Sequence, residues 1–109
     1  MGYNVYIGDS SGDLATSGLK NVAVGADAGR NLVAGSQNVF LGYYAAKSTF
    51  TSGNCNVAIG DEAGKCGNGD NQVFLGSSAG FCMSGDGGVA IGKNAGRHKT
   101  SGIANVFIG

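Results

Sequence analysis

The side chains that could do chemistry in this sequence are few and scattered. Asp61 and Glu62 are adjacent carboxylates in the segment IGDEAG, and His98 is the only histidine, within the segment GRHKT. Adjacent side chains at the end of a strand diverge, which does not suit a general acid and base acting on one substrate. No Ser-His-Asp or Cys-His combination can be identified around His98, whose basic neighbours are typical of a solvated turn. We therefore predict that the protein is not an enzyme.

Acidic residues in two glycine-rich segments suggest a second chemistry, calcium binding. Asp70 lies in GNGDN and Asp86 in SGDGG, and both segments faintly match the calcium-binding turns of β-roll repeats. Neither match is complete, and acidic residues are common in solvated turns. We predict no metal site and no cofactor.

These residues belong to a repeat that runs through the whole chain. A phrase of the form Asn-Val-x-Ile-Gly occurs seven times with small variations, and its valines are residues 5, 22, 39, 57, 73, 89 and 106. Spacings of 16 to 18 residues are too short for a helical hairpin repeat or a propeller blade, and they fit the coils of a solenoid. We predict one all-β domain over residues 1–109, a parallel β-solenoid with seven strands and six full coils of about 17 residues.

Each repeat contains the signals for a strand, a tightly packed segment and a corner. Three and four residues after the strand's closing glycine stand a small residue and usually a second glycine, as in Ala63 and Gly64, and this predicts a second, shorter strand. A later Ser-Gly or Gly-rich step predicts a corner. The asparagine that opens most phrases is expected to form a stacked ladder, with its side chain bonded to turn backbone. Together these signals predict a flattened β-roll.

The strands are apolar on both faces. We assign one face, with Val57 and Ile59 as examples, to the core of the coil. The middle residue then points outward, and through the chain it alternates between an aromatic residue and alanine. An outward apolar stripe requires a covering partner, and the alternation gives each ring about two strand levels of space around a three-fold axis. The predicted homotrimer interface is Tyr6, Ala23, Phe40, Ala58, Phe74, Ala90 and Phe107.

Two cysteines fall into register when the coils are aligned on the closing glycine. Cys66 and Cys82 both lie six residues after it, so they should be neighbours on successive coils. That separation is within reach of a disulfide bond.

A candidate ligand-binding surface lies beside the cysteines. Most coils place a basic residue five positions after the closing glycine, and the third coil adds two adjacent tyrosines. A basic column suits an anionic receptor such as an acidic glycan, and tyrosine rings can stack on sugars; the same charges can also protect an edge from aggregation. The predicted ligand-binding residues are Tyr43, Tyr44, Arg30, Lys47, Lys65 and Arg97.

The phrases NVAVG, NVFLG and NVAIG, each followed by a small residue at the third position, resemble the head repeats of YadA-like trimeric autotransporter adhesins. They equally resemble tail-fibre repeats of bacteriophages and large viruses, of the type N-V-[AF]-[IL]-G-x-x-A-G. The resemblance extends from Asn4 to Gly109. It implies a left-handed β-roll, three copies of which associate, intertwined or side by side, into a fibre. It also implies a host-surface glycan or protein receptor, and a location on a virion tail fibre or at the cell surface, with this chain a segment of a longer fibre.

Two alternatives use the same repeat. Left-handed β-helix acyltransferases are also trimers, and IGDEAG fits their hexapeptide signature, but Lys65 and Asn71 stand six and twelve residues after Ile59, where that fold places aliphatic corner residues. An open-ended roll could instead stack head to tail into a self-assembling filament.

The composition argues against two classes of partner. Seven basic residues balance seven acidic ones, so no overall field attracts nucleic acid or an anionic membrane. No apolar run approaches the roughly 18 residues of a membrane span. We expect neither nucleic-acid binding nor membrane insertion.

Overall fold

A seven-stranded parallel sheet forms one side of the molecule, and the strands pair in chain order. The computed structural model describes residues 2–48, 52–98 and 102–109. Each strand has three residues, and successive strands pair without a shift in register. The strands are β1 (Val5–Ile7), β2 (Val22–Val24), β3 (Val39–Leu41), β4 (Val57–Ile59), β5 (Val73–Leu75), β6 (Val89–Ile91) and β7 (Val106–Ile108). The predicted all-β parallel solenoid with coils of about 17 residues is thereby confirmed.

Consecutive β-turns, and not the predicted second strand, lead the chain away from each strand. In the first coil the Ser11 N–H donates to the Gly8 carbonyl at 3.2 Å, and the Asp13 N–H donates to the Ser10 carbonyl at 3.3 Å. The third residues of these two turns, Ser10 and Gly12, have φ values of 58° and 60°, as in type II turns. The N–H of Gly12 bonds to the next coil. The small residues therefore allow close stacking of turns.

The glycine that closes each strand is required by both its conformation and its surroundings. Gly25 has a φ of 129°, a region that residues with a side chain rarely occupy. A Cβ atom at this position would lie 2.7 Å from the carbonyl oxygen of Gly42 in the next coil. The close approach of successive coils at this corner thus depends on glycine.

The inward position of each strand is its middle residue, which reverses the predicted assignment of the two faces. The side chains of the flanking residues Ile59 and Ile91 are 38% and 37% exposed. The predicted trimer-interface residues lie inside the coil: Ala23, Phe40, Ala58, Phe74 and Ala90 are buried, and Tyr6 and Phe107 pack partly against the same core. The physical reason is space, because the narrow interior accommodates one inward strand side chain per coil and not two.

Each large ring in the core packs against a glycine in a turn. A Cβ atom at Gly80 would clash with the ring of Phe74 in the same coil. In the third coil alanine takes the equivalent position, as Ala46, and the ring of Phe40 packs against Gly29 of the preceding coil, where a Cβ atom would lie 2.9 Å from it. The ring and the glycine are therefore complementary parts of the core.

Buried amide side chains connect the coils in a ladder. The Oδ1 atom of Asn21 accepts the N–H of Asn38 at 3.0 Å, and the Oδ1 atom of Asn38 accepts the N–H of Asn56 at 2.9 Å. The Nδ2 group of Asn38 also donates to the Gly53 carbonyl at 2.8 Å. Gln72 continues the ladder, with its N–H donating to Asn56 at 2.9 Å. The ladder satisfies backbone groups that would otherwise be buried without a partner.

The pairing of ring and glycine predicts the cost of a single methyl group. Gly80→Ala should lower the free energy of unfolding by about 2–4 kcal/mol, because the cost of a left-handed backbone adds to that of an overpacked core. Gly87→Ala is the matched control: Gly87 also has a positive φ, 72°, but a Cβ atom there would have no neighbour closer than 3.8 Å. It should lose only about 1–2 kcal/mol. Equal losses in urea unfolding would contradict the packing of the Phe74 ring on Gly80.

Candidate functional site

Two columns of aliphatic side chains cover the outer face of the sheet. They are the flanking residues of the strands, which point away from the core, and no charged residue interrupts either column. Their exposure is greatest at the two ends; in the middle coils Ile59 and Ile91 are exposed and the others are intermediate. The first column is Val5, Val22, Val39, Val57, Val73, Val89 and Val106, and the second is Ile7, Val24, Leu41, Ile59, Leu75, Ile91 and Ile108. We call these 14 residues the outer aliphatic face.

The predicted basic column forms one corner of the coil, but most of its charge is paired. Arg30 Nε lies 3.6 Å from a carboxylate oxygen of Asp13 in the preceding coil. Two lysines of the column make similar pairs: Lys47 with Asp27 at 3.4 Å, and Lys65 with Glu62 at 2.9 Å. The corner therefore has little free positive charge to attract an anionic ligand.

Aromatic rings alternate with the cations along this corner. Lys47 Nζ lies 4.0 Å from the centroid of the Tyr44 ring, and Lys65 Nζ lies 4.8 Å from the same ring. Lys65 also approaches the ring of Phe81 at 5.5 Å, and the guanidinium of Arg97 lies 5.0 Å from that ring. Five of the predicted ligand-binding residues, Tyr43 among them, thus lie on one continuous strip, with Arg30 beyond its end. Such cation–π contacts fix long side chains on the surface.

The two tyrosines of the third coil form a stacked pair at this corner. The ring centroids of Tyr43 and Tyr44 are 3.9 Å apart, and the ring planes are inclined by 17°. Tyr43 is the outer member, with its side chain 50% exposed. Hydrogen bonding with Tyr44, partial desolvation and the carboxylates of Asp27 and Asp61 raise the pKa of Tyr43 to about 12.

Cys66 and Cys82 are joined by a disulfide bond between the fourth and fifth coils, with Cα atoms 4.6 Å apart. Register alone brings them together, since both stand six residues after a closing glycine. Cys55 is a free, exposed thiol that lies 3.3 Å from Oε1 of Gln37. The three cysteines thus form one bridge and no cluster.

A second polar ladder, which the sequence did not predict, runs along a corner before the strands. The Ser36 N–H donates to Oδ1 of Asn54 at 2.8 Å, and the Asn54 N–H donates to Oδ1 of Asp70 at 2.7 Å. The Asp70 N–H donates to Oδ1 of Asp86 at 2.9 Å. We call these four residues the corner ladder. It gives Asp70 and Asp86, the two candidate calcium ligands, a structural role in holding backbone N–H groups.

The remaining candidate residues for catalysis are separate from one another. His98 is exposed at the end of a described segment, and its neighbours Lys99 and Thr100 lie outside the described residues. Glu62 pairs with Lys65, whereas Asp61 is exposed. Among residues 2–48, 52–98 and 102–109, no group of three or more His, Cys, Asp or Glu side chains is arranged to hold a metal ion. In that same part of the chain, no helix is long and apolar enough to cross a membrane.

A cleft of about 200 Å³ lies in the first coil, away from the tyrosine pair. The Tyr6 hydroxyl is buried there, and this burial raises the pKa of Tyr6, against the opposite effect of the neighbouring Asn21 side chain. The cleft is lined by Asn4, Tyr6, Ala15, Thr16, Ser17, Gly18 and Leu19.

Comparison with known proteins adds no relative. The chain matched no protein-family model, no curated protein and no solved structure. No relative therefore indicates a function for the outer aliphatic face or for the tyrosine pair.

The disulfide bond should contribute measurably to stability. Cys66→Ser is expected to lower the free energy of unfolding by about 3 kcal/mol, because the bridge closes a segment with a sequence separation of 16 residues. Urea unfolding with and without reductant measures the effect, and reduction of the parent should reproduce it. Cys55→Ser is the control and should change stability by less than about 0.5 kcal/mol. An unfolding midpoint insensitive to both reduction and Cys66→Ser would contradict this role.

The environment of Tyr43 predicts a late step in an alkaline titration. Its pKa in the folded state, about 12, is above the ordinary value of 10.0. The neutral phenol is therefore favoured by folding, and its contribution to stability is complete below pH 10.0 and is lost as the pH rises towards 12. Absorbance at the phenolate band, compared between the parent and Tyr43→Phe, isolates this step. Asp61→Asn should shift it to lower pH, and a Tyr43 step at or below pH 10.0 would contradict the assignment.

Proposed function

We propose that the chain is a non-catalytic structural and receptor-binding module of a trimeric fibre, on a virion tail or at a cell surface. The observation that carries this proposal is the outer aliphatic face. Seven strands about 4.8 Å apart make each column about 30 Å long. A continuous apolar surface of this length is typical of an interface and is unusual on a monomer that remains in water.

The proposed partner is a second and a third copy of the same chain. A face with no charged side chain offers nothing to a partner of opposite charge, whereas it matches another flat aliphatic sheet. Two parallel columns suit a three-fold axis, because each chain can present its first column to one neighbour and its second column to the other. Such contacts close into a ring. This arrangement is also what the resemblance to adhesin and tail-fibre repeats implies, together with a left-handed coil.

One feature supports a location outside the reducing cytosol, and another supports an elongated fibre. The bond between Cys66 and Cys82 is of the kind that persists in oxidising surroundings. The coils also depend on backbone and amide ladders between neighbours, and stability of this kind increases with the number of coils. An elongated array of such coils is mechanically suited to a fibre. The corner with Tyr43 and Tyr44 follows the closing glycine of β3, outside the outer aliphatic face, and Tyr43 is half exposed. We take this corner as the candidate receptor surface.

Polar substitution of the outer aliphatic face tests the proposal. The parent should have a solution mass near three times the chain mass of 10.8 kDa over a range of concentrations. Ile59→Lys combined with Ile91→Lys should shift that mass towards one chain, because both side chains point outward and charges cannot be buried unpaired between aliphatic columns. Light scattering measures the mass, and circular dichroism checks that the sheet is retained.

The matched control places the same side chain on another outer position. Ser77→Lys adds a lysine one residue after a closing glycine, where the sixth coil has Lys93, and it should leave the mass unchanged. A monomeric parent, or a double variant that keeps the parent's mass, would overturn the proposed association.

A further inference from the structure

The turn of the third coil breaks the pattern of the repeat at two places. The second residue after each closing glycine has a positive φ, and in the other coils it is Ser, Asp, Glu or Asn. In the third coil it is Tyr44, with a φ of 59°. Two residues later the other coils have glycine, but the third has Ala46, with a φ of 50°.

At Ala46 the exception places a side chain in a left-handed conformation, where the other coils have glycine. At Tyr44 the backbone conformation is the same as in the other coils, and the exception is a large aromatic ring in place of a smaller polar side chain. The Tyr44 ring lies at the surface, so the core gains nothing from its size. Two departures from the repeat within one turn, one in backbone preference and one in side-chain type, are typical of a functional site.

The exceptional residues form a rigid aromatic platform. Tyr44 is held between Tyr43, at 3.9 Å between ring centroids, and Lys47, whose Nζ lies 4.0 Å from its ring. Tyr43 is stacked on one side only and is half exposed. A ring already fixed by its neighbours loses little conformational entropy when a ligand stacks on it.

The charges around the platform indicate the class of ligand. Lys47 pairs with Asp27, and Lys65 pairs with Glu62. Asp61 follows Tyr43 in register on the next coil, and the ion pairs of the described residues do not include it. Three carboxylates thus surround two ammonium groups, so the local net charge is negative and does not attract an anionic ligand. The hydroxyl groups of an uncharged ligand can donate hydrogen bonds to the carboxylates and accept them from the lysines.

We infer that the turn at residues 42–47 binds an uncharged saccharide, with the C–H face of a sugar ring stacked on Tyr43 and its hydroxyl groups bonded to Asp61 and neighbouring polar groups. This differs from the acidic glycan that the basic column suggested. The inference rests on the proposed function for its setting, a fibre that meets a receptor. The platform itself lies within one chain, and binding does not require the trimer.

The experiment is a titration followed by NMR of the backbone amide protons of Asp61 and Glu62, which lie beside Tyr43 on the next coil and are kept in every variant. The probes are three neutral disaccharides, maltose, lactose and N,N′-diacetylchitobiose, and one acidic trisaccharide, sialyllactose. At least one neutral probe should give a saturable shift with a millimolar Kd. Tyr43→Ser, which places in the third coil the residue found at Ser77 in the fifth, should raise that Kd about tenfold or more. Its melting temperature should match the parent's, since Tyr43 is outside the core.

An exposed tyrosine outside the platform supplies the control. Tyr3 is an exposed tyrosine at another place in the chain, and Tyr3→Ser should leave the Kd unchanged. Absence of a saturable shift with every neutral probe, tighter binding of sialyllactose, or equal binding by Tyr43→Ser would each overturn the inference. Repeating the titration on the Ile59→Lys and Ile91→Lys double variant separates the two proposals, because saccharide binding should persist whether or not the chains associate.

Discussion

The height available to each coil determines which side chains the interior accepts. Parallel strands stand about 4.8 Å apart, and each contributes one inward residue. A ring at every level would not fit, so Phe40 and Phe74 in β3 and β5 alternate with alanine in the strands between them. A glycine in a turn completes the space for the ring, as Gly80 does for Phe74. Because the interior is so narrow, each coil is buried mainly by its two neighbours, and the amide ladder, the in-register sheet and the stacked turns all maintain that arrangement.

Much of this fold could be predicted because its signals recur at constant offsets from the closing glycine. The coil length, the strands, the amide ladder and the proximity of Cys66 and Cys82 all follow from that alignment. The direction in which the strands face did not follow, because a two-residue period cannot distinguish inside from outside when both sets of residues are apolar. Side-chain size distinguishes the two sets. The first outer column is valine throughout, whereas the middle residue alternates in size. Such alternation is needed only where the volume is limited, which indicates that the middle residue points inward. The prediction of a second strand in each coil was wrong, because small residues allow close backbone approach in turns as well as in strands.

The candidate site was predicted in its position but not in its electrostatics. Arg30 and Lys47 pair with carboxylates of preceding coils, Asp13 and Asp27. Such contacts cross between repeats, so a column of basic residues considered by itself does not contain them. The corner ladder was missed for a different reason. Its members stand ten to twelve residues after a closing glycine, because the coils differ in length, but each stands three residues before the valine of the next strand. Alignment on the following strand therefore contains this signal, and alignment on the preceding glycine does not.

The disulfide bond has a mechanical consequence for a protein pulled at its ends. Backbone hydrogen bonds between coils can open one after another, so tension would peel the solenoid from a terminus, one coil at a time. The bond between Cys66 and Cys82 spans 16 residues, and the force bypasses that segment through the two sulfur atoms. About 55 Å of extended chain is thereby withheld from stretching. An oxidised fibre would reach its full extension sooner than a reduced one, and its fourth and fifth coils would stay tethered after all the others had unravelled.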